Sequence, residues 1–307
     1  MASDWYLKTS SNWKLVNNAF VKVSGSWKEI QEGYIKVSGA WKQFYQAFVA
    51  TGFSTATANT TIVVPDGANA IHVQAAVGGG SGGVKGAEYD KAGGESAGAG
   101  GASGGFVSDQ VYSVTQGETL TLTVGAGGAA STGSSYNTTA GSGGNTVLSG
   151  STTGTIFTLT GGVGGSGTGG GVQGPLRSNN PSTAGTATVA ASVLTSGSFK
   201  ESDGSSATIP SATTLDNGPV GSYNSSGNGV AGTNPGNCGG DNCQITGGVG
   251  GASYSGNIAG GAGGVASSTP GGAGTRGSGA GGGGAQGQTS GGNGGAGEIV
   301  YRFLRVQ

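Results

Sequence analysis

The chain has 307 residues, of which 72 are glycine and 9% are charged, and its formal net charge at pH 7 is −1. Glycine at that level excludes an ordinary globular composition, and glycine plus proline at about a quarter of the chain approaches the range of low-complexity disorder. A net charge near zero gives no electrostatic footprint for nucleic acid or for an anionic membrane surface, so neither is expected as a partner.

Residues 1–20 carry no apolar signal core and no stretch approaches 18 consecutive apolar residues. The expectation is a chain made in the cytosol, without an export signal and without membrane insertion. Its opening is a 14-residue repeat, "YLKTSSNWKLVNN", "FVKVSGSWKEIQE" and "YIKVSGAWKQFYQ". Short aromatic and β-branched runs parted by a small-residue turn predict three antiparallel hairpins, with Gly25 and Gly39 supplying positive φ and Asn12 taking that place in the first copy. In a two-residue-loop register, Lys and Trp five apart become cross-strand neighbours and the ammonium lies against the indole.

All four tryptophans fall within the first 41 residues, so burial capacity is concentrated at one end. Two readings of Trp13, Trp27, Trp41, Phe20 and Tyr34 stand side by side: the core of the module, or its surface of attachment. A lone hairpin is marginal in water. Residues 1–48 are therefore expected to dock, the three copies approximating a threefold that caps a trimeric partner.

Residues 49–171 are expected to form a β-sandwich with the first glycine blocks. Ile62–Val64 and Ile71–Val77 read as strands around a turn at Pro65-Asp66-Gly67, and His72 and Gln74 fall on the polar, less buried face. A second strand pair turns at Gln116-Gly117, a third lies in "NTVLSGSTTGTIFTLT", and "GEIVYRFLRVQ" closes the sheet. The glycine blocks follow a Gly-Gly-x period, which matches the three residues per turn of polyproline II geometry. Two faces of such a rod are bare backbone, so rods can lie side by side and share amide hydrogen bonds. Residues 247–307 are expected to be a bundle of this kind, polyglycine II, closed by the C-terminal strand. Collagen is excluded by seven prolines in the chain.

Residues 172–246 have no period and are expected to form long distal loops. Here and between the blocks, tyrosines stand among Ser, Asn, Thr and Gly, a composition suited to surface recognition. The candidate contacts are Tyr89, Tyr136, Arg177, Phe199, Lys200, Tyr223 and Tyr254, with local packing as the alternative use of each tyrosine. Cys238 and Cys243 would close a small disulfide in an oxidising exterior, and too few ligands surround them for a metal. One histidine and scattered carboxylates supply no nucleophile–base pair or acid pair, so neither catalysis nor a cofactor is expected.

Three stretches, "VPDGANAIHVQAAVGGGSGG", "VTQGETLTLTVGAGG" and "GGNGGAGEIVYRF", resemble the glycine-rich β domains of bacteriophage tail-fibre proteins, and "FVKVSGSWK" and "YIKVSGAWK" look like short modules of phage tail and fibre proteins. From about residue 50 onward the layout is similar to the tip adhesins of T-even-type long tail fibres. That resemblance implies a polyglycine II sandwich whose distal loops meet a host outer-surface receptor, protein or polysaccharide, at the fibre tip of a virion. Residues 1–48 would attach it to a trimeric tail-fibre or baseplate protein. The competing expectations are a structural fibre or decoration protein without receptor contact and, more remotely, an ice-binding protein.

Overall fold

The computed structural model describes residues 6–9, 12–15, 20–30, 32–46, 48–82, 100–131, 137–164, 166–168, 185–209, 273–274 and 290–307. Among the described residues every regular element is a β-strand, so the fold is all-β.

The opening repeats form three hairpins, β1 (Tyr6–Thr9) with β2 (Asn12–Leu15), β3 (Phe20–Val23) with β4 (Ser26–Glu29), and β5 (Glu32–Val37) with β6 (Ala40–Gln46), each a separate two-stranded antiparallel sheet. Ser24 and Gly25 have φ of 51° and 85°, and Ser38 and Gly39 have 50° and 86°. Two successive positive φ values define the tight turn whose twist matches the flanking strands. The register that follows sets Lys22 against Trp27 and Lys36 against Trp41. It likewise sets Lys8 against Trp13. Asn12 is not the turn residue expected of it: it opens β2, paired with Thr9.

Next come β7 (Ser54–Ala56), β8 (Thr60–Val63), β9 (Ala70–Val77), β10 (Phe106–Ser113), β11 (Thr119–Thr123), β12 (Asn137–Thr139), β13 (Thr146–Gly150), β14 (Gly154–Leu159), β15 (Ser166–Thr168), β16 (Ala187–Val189), β17 (Ser198–Lys200), β18 (Ser206–Thr208) and β19 (Glu298–Leu304). A first sheet has the order β10-β9-β19-β7 and a second β16-β14-β13-β11-β8. Alternation explains their facing. Leu120 and Leu122 of β11 are fully buried while Thr119 and Thr121, which alternate with them, are exposed. Leu120, Leu122, Leu148, Ile156, Phe157 and Leu159 of the second sheet meet Ile71, Val73, Tyr112 and Ile299 of the first in one apolar cluster. Tyr112 and Phe157 span the layers with ring centroids 5.9 Å apart.

Three expectations are corrected. Gln116-Gly117 does turn, with Gly117 at φ 76°. It does not join a paired hairpin, because β10 pairs with β9 whereas β11 pairs with β8 and β13. The turn instead carries the chain from one layer to the other. Just after it, Glu118 stitches the corner: its carboxylate accepts from Thr115 N at 2.6 Å, Thr153 Oγ1 at 2.6 Å, Thr153 N at 2.9 Å and Thr152 N at 3.1 Å. His72 is not on a less buried face, for it is only 3% exposed. The outer face of the first sheet is covered by a second apolar cluster, in which Ala70, Val111 and Leu304 pack with Phe199 and Ile209.

Residues 172–246 are the third. Within them β16 extends the second sheet, and β17 and β18 form a hairpin laid on the first. The polyglycine II bundle expected over 247–307 lies mostly outside the described residues, and Glu298–Leu304 within that range is a strand of the first sheet.

Candidate functional site

The sandwich has two unlike ends. At one end the chain enters: Ala50 N donates to Lys200 O at 2.7 Å and Asn69 N to Leu304 O at 3.1 Å. At the other end β9, β11 and β14 run out into residues 78–82, 125–131 and 160–164, while β10, β13, β16 and β19 are entered from 100–105, 140–145, 185–186 and 290–297. These glycine-rich segments hold one another chiefly through backbone hydrogen bonds, with a few side-chain acceptors such as Ser81 and Asn293 added.

Their bonding follows a rotation. Gly78 N and Ser81 N donate to Gly105 O and Ala102 O of one neighbour, both at 2.8 Å. Gly79 N and Gly82 N donate to Gly144 O and Gly141 O of a second, both at 2.9 Å. Gly80 N turns to Gly295 O of a third at 2.9 Å, and its carbonyl accepts from Gly128 N of a fourth at 2.8 Å. The step of three recurs where Gly141 and Gly144 donate to Ala129 and Ala126, and where Gly294 and Gly297 donate to Gly128 and Gly125. A pleated strand returns to the same neighbour every second residue, so this is a different way of satisfying backbone.

The approach is close enough to require glycine. A Cβ added at Gly79 would overlap the Ala126 carbonyl oxygen, and one at Gly82 the Ala129 carbonyl oxygen. No flexible side chain lies there to give way, because the obstacle is main chain.

The candidate contact residues are distributed unevenly. Tyr89, Tyr136, Arg177, Tyr223 and Tyr254 lie outside the described residues, as do Cys238 and Cys243. Residues 83–99 and 132–136 join segments at the glycine end, and 169–184 lead into one of them. Phe199 and Lys200 belong to the entry end. Phe199 is 2% exposed in the second apolar cluster, which removes its ring from any external contact. Lys200 Nζ donates to Ser206 Oγ at 2.9 Å across its own hairpin.

The hairpin residues behave differently. Trp27 and Trp41 are each 69% exposed, and Tyr34, Ile35, Val21, Val23 and Val37 are exposed as well. Among the described residues these two indoles lie at the surface. Lys22 Nζ lies 5.9 Å from the Trp27 ring centroid and Lys36 Nζ 6.0 Å from that of Trp41, the geometry of a weak, solvent-facing cation–π pair. Trp13 and Phe20 keep their register positions, opposite Lys8 and Glu29. Six of the 13 basic residues fall in residues 1–46, with only Asp4, Glu29 and Glu32 of the acidic ones, so the module is net cationic and the remainder net anionic.

Among the described residues no three His, Cys, Asp or Glu side chains converge as metal ligands, and no helix is long and apolar enough to cross a membrane.

A two-layer antiparallel sandwich whose strands pass at one end into cross-bonded glycine segments defines a glycine-rich β domain. The chain belongs to the glycine-rich domain family, whose model matches residues 54–304. Those limits run from the first residue of β7 to the last of β19 and leave the hairpins outside. Comparison with curated proteins finds no match.

Proposed function

We propose that this chain is a receptor-binding adhesin at the tip of a bacteriophage tail fibre. In this reading the glycine segments are polyglycine II rods forming a stiff platform, the loops beyond them meet a host outer-surface receptor, protein or polysaccharide, and the N-terminal hairpins attach to a trimeric fibre or baseplate protein. The observation that carries it is the rotation of backbone bonds through successive neighbours, with the same neighbour regained at every third residue, as threefold rods packed side by side require. Chain entry at one end and loop departure at the other supports a division between attachment and display. The resemblance of the glycine-rich stretches to tail-fibre proteins supplies the biological setting.

Replacing residues 83–99, 132–136 and 169–184 with Gly/Ser linkers, while leaving every strand intact, is expected to abolish adsorption to susceptible cells with little change in the thermal midpoint. Undiminished adsorption would transfer the chain to the structural-fibre reading.

Attachment has its own readout, because every tryptophan lies in the first 41 residues. In the free chain the emission is expected to be that of water-exposed indole and open to acrylamide quenching. Assembly onto a fibre or baseplate protein should reduce quenching several-fold. Indoles already shielded in the free, isolated chain would show that the hairpins are covered by copies of the chain itself.

A further inference from the structure

A cluster of charged and aromatic groups lies on the outer face of the first sheet. His72 of β9 stands between Val111 of β10 and Arg302 of β19 in the register of the three strands. Its Nδ1 accepts from Arg302 Nε at 3.2 Å, which places the ring proton of the neutral imidazole on Nε2. Nε2 faces Asp109 Oδ1 at 3.4 Å, a charge contact without hydrogen-bond alignment. Phe53 closes over the ring at 5.5 Å.

Arg302 is the hub of the cluster. It donates to both oxygens of Glu201, at 2.6 and 3.0 Å, and its guanidinium lies 4.5 Å from the Phe53 ring centroid and 5.2 Å from that of Phe199. Phe199 belongs to β17 and Glu201 follows it, so one guanidinium joins the β17–β18 hairpin to the sheet beneath.

We propose that His72 is an acid-sensitive latch: neutral, it holds Arg302 where that side chain clamps the β17–β18 hairpin; protonated, it expels the guanidinium and loosens the hairpin. The reason is local. A proton on Nδ1 would set N–H against N–H and cation against cation at 3.2 Å within a buried site. The charged groups facing the imidazole are Arg302 from β19, Asp109 from β10 and Glu201 from beyond β17. Burial first, and Arg302 second, hold the imidazole below its ordinary value of 6.5, against the opposing pull of the two carboxylates.

The sign follows. With Arg302 displaced, the imidazole binds its proton more readily than in the clamped state, so the hold on the hairpin is full above pH 6.5 and is lost as pH falls through the lower, clamped value.

The test uses the full chain between pH 8 and pH 5. His72 is the only histidine, so a single imidazole resonance reports its titration. Hydrogen-exchange protection of amides in residues 198–209, corrected for intrinsic rate, is expected to fall by up to about tenfold per pH unit below pH 6.5 and to level off below the midpoint of that resonance. Amides of the second sheet, such as Leu148 and Phe157, are expected to stay constant. His72→Gln, whose amide oxygen accepts from Arg302 without titrating, should flatten the response. Arg302→Met should lower protection already at pH 8. Constant protection in the wild-type chain overturns the latch, and so does a fall that persists in His72→Gln, which would show that the histidine is not its cause. Should His72→Gln not fold, the wild-type curve decides: a fall that levels off below the resonance midpoint supports the latch, and one that continues well below it overturns it.

Discussion

Gly79→Ala lowers the thermal midpoint by roughly 6–12 °C, and Gly52→Ala leaves it where it is. The two substitutions add the same methyl group to the same residue type. At Gly79 that methyl falls on the Ala126 carbonyl oxygen, and the segment must move off the neighbours that accept from Gly79 and Gly82. At Gly52 nothing lies within 4 Å of the added carbon and the backbone is not left-handed, so alanine enters freely. Main-chain overpacking of this kind costs on the order of 3 kcal/mol, and each kcal/mol moves the midpoint of a domain this size by about 2–4 °C. Differential scanning calorimetry on the two variants separates the cases. An unshifted midpoint for Gly79→Ala would mean that the segments have room to part, and close-packed rods would have to be abandoned.

Removing one carboxylate at the layer crossing is expected to cost nearly as much. Glu118→Ala deprives three backbone amides and the Thr153 hydroxyl of their acceptor, with an expected loss of about 2–3 kcal/mol. Glu118→Gln, which keeps one acceptor oxygen, is expected to lose about half of that. Burial alone would raise the Glu118 carboxyl, but the hydrogen bonds from Thr153, Thr115 and Thr152 outweigh it and hold the group below its ordinary 4.5. The folded chain therefore takes up this proton less readily than the unfolded chain. The stabilisation is complete above pH 4.5 and disappears as the pH falls through the lower folded value. Urea titrations at pH 7, and at several values below pH 4.5, should show the wild-type chain converging on Glu118→Gln. A stability gap between them that is independent of pH in that acid range would refute the carboxylate's role at this corner.

Much of the sandwich was legible because its strands obey the simplest rule of sheets. Leu120 and Leu122 alternate with threonines, "NTVLSG" and "TGTIFTL" straddle a turn, and "EIVYRFL" has the length and β-branched content of a strand. The hairpin register was legible too, since Ser-Gly fixes a two-residue turn and the turn fixes the pairing of Lys with Trp. What stayed hidden depends on partners distant in sequence. Gln116-Gly117 looks like any hairpin turn, and only the competition of β8 and β13 for β11 makes it a crossing between layers. His72 has the spacing of a polar face, yet a hairpin more than 120 residues later and the Phe53 ring cover it. β16, β17 and β18 are three residues each, too short for any periodicity, and the stretch that holds them reads as loop. The exposure of Trp27 and Trp41 was not legible either: tryptophan ordinarily implies a core, but among the described residues nothing is layered on their two-stranded hairpins. The glycine period was visible, whereas the neighbour each segment addresses was not, because glycine carries no side chain to mark a face.

The place of β19 bears on how the molecule is made. It lies between β9 and β7, so an interior strand of the first sheet is supplied by a segment far along the chain from both of its neighbours. Its Phe303 N donates to Thr51 Oγ1, a closure spanning 252 residues. Among the described strands, β7 pairs with β19 alone and β9 otherwise with β10 alone. Until Glu298–Leu304 has been synthesised, the nascent chain therefore carries an open, apolar β edge, and assembly of the layer waits on that strand. Deleting Glu298–Leu304 would thus be disproportionately harmful.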